Sequence, residues 1–151
     1  MKVYFGADHG GVNLKDQLVA MLKVEFVDLE VEDFGTFETT AVDYPHIAEK
    51  VASSVAASPE NSLGVVVCGS GIGVSIAANK VRGIRCALVH DSFTARVSRE
   101  HNNANMIALG ERVIGSEVAK DAVRSFLHAK FQAGRHATRV ALISEIETRN
   151  C

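Results

Sequence analysis

The sequence predicts an α/β fold: a three-layer α/β/α sandwich on a five-stranded parallel, Rossmann-like sheet. Three observations predict it. Five short apolar runs alternate with stretches long enough for helices. Those stretches repeat their apolar residues at helical spacing. The polar residues that carry chemistry cluster just after the apolar runs, where open α/β sheets bind ligands. Strand–helix alternation implies a parallel sheet covered on both faces, and right-handed crossovers make it doubly wound.

In chain order, the expected strands are Val3–Ala7, Glu25–Glu30, Gly64–Cys68, Arg85–His90 and Met106–Leu109. After the first, Leu14, Leu18, Met21 and Leu22 recur on one helical face. Ala48, Val51, Ala52 and Val55 mark the next helix, with Pro45 in a first-turn position. A glycine turn leads into a helix running through Ile76–Val81, and Thr94–His101 is a shorter one. Val118, Ala122, Val123 and Phe126 follow Gly115-Ser116, and Val140, Ile143 and Ile146 define a C-terminal helix. No linker divides the chain, so residues 1–151 are expected to form one domain.

Composition narrows the function. A net charge of −2, from 16 basic and 18 acidic side chains, argues against nucleic-acid or membrane-surface binding. No apolar run approaches the length of a membrane span. The start, Met1-Lys2-Val3-Tyr4-Phe5-Gly6-Ala7-Asp8-His9, reaches charge too soon for a signal peptide. Three widely spaced cysteines, Cys68, Cys86 and Cys151, fit a reducing cytoplasm better than a disulfide scaffold. The six histidines form no HxH, HExxH or Cys/His spacing, so no metal is expected.

The most informative stretch is Val65-Val66-Val67-Cys68-Gly69-Ser70-Gly71-Ile72-Gly73. A β-branched run ends in a thiol, which opens a glycine-rich turn into a helix. Free N–H groups there bind anions and favour a thiolate. Position 74 is valine, so the loop fails the dinucleotide fingerprint, and no Gly-Lys-Ser/Thr makes a P-loop. Cys86, inside an apolar run, reads as a packing residue. Further on, Arg135 and Arg139 stand one helical turn apart at the start of the last helix. Cations there oppose the macrodipole, and a bound phosphate resolves the conflict; a solvated basic patch is the plainer alternative. Arg112 follows the last strand, and His101 ends a helix in an Asn-rich loop, where it is able to titrate near neutral pH.

Taken in order, these motifs resemble the type B ribose-5-phosphate isomerases, in the family that includes galactose-6-phosphate isomerase. The resemblance rests on Asp8-His9, Asp43-Tyr44-Pro45-His46, Cys68 to Gly73, Ala77-Ala78-Asn79-Lys80, His101-Asn102, Gly110-Glu111-Arg112 and Gly134-Arg135-His136 with Arg139. It runs from Phe5 to about Glu147, nearly the whole chain.

The resemblance implies an aldose–ketose isomerase of the pentose phosphate pathway. Cys68 matches the base that moves a proton between C2 and C1, and His101 the residue that opens the sugar ring. Ser70, where many members have threonine, keeps a hydroxyl for the enediolate oxygen. Gly69, Gly71, Ile72 and Gly73 match the loop around that oxygen. Asp8, His9 and Asn102 match sugar contacts, and Arg112, Arg135 and Arg139 match phosphate contacts. Some members place a glutamate base seven residues after the cysteine; here that position is Ser75. The resemblance also implies a homodimer with shared sites, with a tetramer as the alternative, and neither metal nor organic cofactor. A six-carbon (allose or galactose 6-phosphate) isomerase and a nucleotide-binding sensory domain are the competing readings.

Overall fold

The computed structural model describes residues 1–150; Cys151 lies outside the described residues. The strands are β1 (Lys2–Ala7), β2 (Glu30–Asp33), β3 (Ser62–Cys68), β4 (Cys86–Leu88) and β5 (Met106–Gly110). The helices are α1 (Val12–Glu25), α2 (Tyr44–Ala57), α3 (Ile72–Ala78), α4 (Ser92–Asn102), α5 (Ser116–His128) and α6 (Arg135–Asn150). The strands form one sheet in the order β2-β1-β3-β5-β4, every pair parallel. This is the expected doubly wound sandwich.

Apolar residues of α1, α4 and α5 pack with Val3, Phe5, Val65, Val67, Ile107 and Leu109 on one face. On the other, α2 and α3 cover Val66, Cys68, Met106 and Ala108. Adjacent residues of a strand point to opposite faces, so β3 reads as a continuous apolar run. The strand order reverses direction between β1 and β3, which opens the ligand crevice at their carboxyl ends.

The second strand differs from expectation. α1 continues to Glu25, and its end is closed by the Phe26 N–H donating to the Leu22 carbonyl at 2.9 Å. Phe26 and Leu29 pack on the core from a turn, and the strand itself is the polar edge Glu30-Val31-Glu32-Asp33. An edge strand buries little, so its sequence carries weak apolar signal. The fourth strand is confined to Cys86–Leu88, and α3 spans Ile72–Ala78 rather than reaching Val81. The side chain of Asn79 ends α3 by bonding the main chain of Cys86 twice, each at 2.8 Å.

α6 stands largely outside the sandwich: of its described residues, His136 alone is buried. It is tied to the body where the Gly83 N–H donates to Glu147 at 2.9 Å and where His136 meets α4.

Candidate active site

Cys68 closes β3 with 5 % of its surface exposed. The next residues turn sharply, and Gly71 takes the left-handed conformation at φ 79°. A side chain at Gly71 would meet Leu88 at 2.6 Å and the Leu109 backbone at 2.9 Å. This turn aims the Gly71 N–H at the Cys68 sulfur, 3.1 Å away. Negative charge on the sulfur therefore meets a fixed backbone dipole. Ser70 Oγ accepts from the Ile72 N–H at 3.3 Å. The N–H of Gly73, in the first turn of α3, has no acceptor among the described residues.

β5 supplies the second wall. The N–H groups of Glu111 and Arg112 donate to the carbonyls of Cys68 and Gly69 at 2.9 and 3.0 Å. The Arg112 side chain lies over Gly69, its guanidinium 3.1 Å from where a β-carbon would stand. No carboxylate pairs with it among the described residues. Its neighbour Glu111 faces away and accepts from the Leu14 N–H at 2.9 Å, capping α1.

Asp8 follows β1, is 8 % exposed, and accepts the Gly10 N–H at 2.8 Å. Asp8, Cys68, Gly69, Ser70, Ile72, Gly73 and Arg112 line one cleft of about 600 Å³. Exposed Ile72, Ile76 and Val113 give it an apolar rim. His9 is exposed beside this cleft, and its Nδ1 accepts the Val42 N–H at 3.3 Å.

Tyr44 is a wall residue that the sequence did not single out alone. Its ring packs on Gly73, where a β-carbon would approach within 2.7 Å. The glycine was legible as a turn residue, but its partner at the start of α2 is distant in sequence. Ser75 bonds back to its own helix, its hydroxyl donating to the Ile72 carbonyl at 2.7 Å. Asp91, which follows β4, caps α4 in a reciprocal box with Thr94. Those bonds hold its carboxyl below the usual aspartate range.

His101, Asn102, Arg135 and Arg139 form a separate cluster. α4 starts beyond the carboxyl end of β4 and runs back, so its last residues reach the amino end of the sheet. There the Arg85 guanidinium donates to the carbonyls of Asn102 and Asn103 at 2.8–3.1 Å. Cys68 lies at the other end, so His101 is on the order of 15–20 Å from the thiol of its own chain. His136 stacks on His101 with ring centroids 4.3 Å apart. Burial, His101, Arg135 and Arg139 together lower the pKa of His136. Arg135 and Arg139 are exposed and have no carboxylate partner among the described residues.

No group of three or more His, Cys, Asp or Glu among the described residues is placed to hold a metal ion. No helix among them is long and apolar enough to cross a membrane.

Comparison with known proteins identifies the family. Residues 3–143 match the family model described as Ribose/Galactose Isomerase. The chain is 45% identical to ribose-5-phosphate isomerase B of Escherichia coli over 148 residues, 98% of this chain and 97% of that protein. It superposes on ribose-5-phosphate isomerase B of Clostridium thermocellum with a TM-score of 0.95, at 52% identity and full coverage of both chains. The Mycoplasma genitalium enzyme, solved with bound ribulose-5-phosphate, gives a TM-score of 0.93 at 35% identity, covering 99% of this chain and 97% of that one. With a matched family model, near-complete coverage and the same fold, this chain belongs to the ribose/galactose isomerase family.

Proposed function

We propose that the protein interconverts D-ribose 5-phosphate and D-ribulose 5-phosphate through a cis-enediolate. One observation supports this above the others. A single cleft collects a thiol with a backbone donor on its sulfur, a buried carboxylate and a guanidinium with no carboxylate partner. Aldose–ketose isomerisation needs those parts: a base for the proton beside the carbonyl, donors for the developing oxyanion, and an anchor for the phosphate.

In this reading the Cys68 thiolate removes the C2 proton of the open-chain aldose. The electron pair moves into a C1–C2 double bond, and the carbonyl oxygen becomes the enediolate oxygen. Ser70 Oγ and the loop N–H groups stabilise that oxygen. The same thiol returns its proton to C1 while the proton on O2 passes to O1, giving the ketose with its C2 carbonyl and C1 hydroxyl. Arg112 binds the phosphate and so orients the reacting carbons.

His101 opens the furanose ring, and Asn102 holds the sugar; Arg135 and Arg139 complete the phosphate site. Their distance from Cys68 within one chain supports a homodimer in which a second copy supplies them. Exposed Leu142, Ile143 and Ile146 on α6 are consistent with that pairing. The two described cysteines are unpaired, which fits a cytoplasmic protein.

The test is ribulose 5-phosphate formation from ribose 5-phosphate, with EDTA present, by wild type and Cys68→Ala. Activity in the wild type and near-total loss in the variant are expected. Two folded but inactive proteins would refute the substrate, and six-carbon aldose phosphates come next. Full activity in the variant would refute Cys68 as base.

A further inference from the structure

Lys15 is a lysine with no exposed surface, in the first turns of α1. Its ammonium lies 2.6 Å from Asp16 and 2.5 Å from Asp33. Asp16 is largely exposed, whereas Asp33 is 18% exposed, so the Asp33 pair is the desolvated one. A buried ion pair is weak support for stability, because apolar residues of the same volume often serve as well. Such a pair is better explained by what it holds in place.

What it holds is the segment after β2. The second oxygen of Asp33 accepts the Gly35 N–H at 2.8 Å. Gly35 and Thr36 then bracket the end of β1: the Ala7 N–H donates to the Gly35 carbonyl, and the Thr36 N–H to the Ala7 carbonyl, both at 2.6 Å. The Lys15 ammonium also lies 4.9 Å from the Phe37 ring centroid. The segment ends by presenting the Val42 N–H to His9 Nδ1. An acceptor at Nδ1 leaves the proton of the neutral ring on Nε2, as a donor.

We propose that Lys15 is a positioning residue for His9. Its ammonium fixes Asp33, Asp33 fixes Gly35, and the tethered segment carries the N–H that sets the His9 tautomer. The kinetic consequence rests on the reading of His9 as a sugar contact; the tautomer does not.

The test uses the full-length protein with Lys15→Met and with the double variant Lys15→Met/Asp33→Asn. The single variant leaves Asp33 unpaired and is expected to melt lower. The double variant removes both charges while keeping an acceptor for the Gly35 N–H, so its melting temperature is expected to recover. In that folded double variant, KM for ribose 5-phosphate should rise about fivefold, the loss of one ordinary hydrogen bond, with kcat little changed. The His9 ring nitrogen shifts, read by 15N NMR without substrate, should move from a fixed Nε2–H form toward a tautomer mixture. A folded double variant with wild-type His9 shifts would overturn the proposal. Shifted His9 signals in a protein without isomerase activity would uphold the tether and refute the substrate reading alone.

Discussion

His101 and His136 lie face to face, their planes 6° apart and their centroids 4.3 Å apart. They join the end of α4 to the start of α6. Two such rings repel when both are protonated, and Arg135 and Arg139 add to the positive field around His136. Burial, together with this positive field, lowers the His136 pKa below the ordinary histidine value of 6.5. Between its folded value and 6.5 the unfolded chain binds more protons, so this contribution to stability is full above 6.5 and declines as pH falls below it. His136→Phe keeps a stacking ring without the charge. Its melting temperature, followed from pH 7.5 to 5, should fall less on acidification than that of the wild type.

Iodoacetamide should distinguish the two described cysteines. Burial pushes the Cys86 thiol up to about 12, so it stays protonated and inert. Cys68 faces the cleft with an N–H on its sulfur. Peptide mapping during inactivation should find the label on Cys68, and ribose 5-phosphate should slow its appearance. Inactivation with the label confined to Cys86 would contradict the assignment.

Gly71→Ala should damage the loop and the fold together. The left-handed conformation alone costs a residue with a β-carbon about 1–2 kcal/mol. The contacts with Leu88 and Leu109 add to that, because the backbone atom has nowhere to move. A fall in melting temperature on the order of 5 °C is expected. Gly115→Ala is the control: nothing lies near its β-carbon position, and its φ is −68°. It should melt like the wild type.

Arg112→Ala should raise KM for the sugar phosphate by roughly 10–100-fold, the value of charge-assisted hydrogen bonds. Arg112→Lys should recover only part of this, since an ammonium lacks the planar fork. Unchanged KM in both variants would remove Arg112 from the phosphate site.

Legibility in the sequence followed burial. β1, β3 and β5 were readable because their centres are covered on both faces, as Val65, Val66 and Val67 show. The glycine turn was readable because Gly71 needs a backbone that other residues resist. The edge strand was not, because Phe26 and Leu29 carry the apolar signal from a turn while Glu30–Asp33 carries the pairing. Of the site, the Cys68 cleft was visible as local motifs. Tyr44 against Gly73, the Lys15–Asp33 pair and the His101–His136 stack are contacts between distant segments, and no local pattern announces them.

The opposite ends occupied by Cys68 and His101 have a genetic consequence. If each site draws its thiol from one copy and its imidazole from another, two different dead proteins can repair one another. A dimer of one Cys68→Ala chain and one His101→Ala chain places both lesions in one site and leaves the other intact. Random mixing of the two chains should therefore restore about one quarter of wild-type activity.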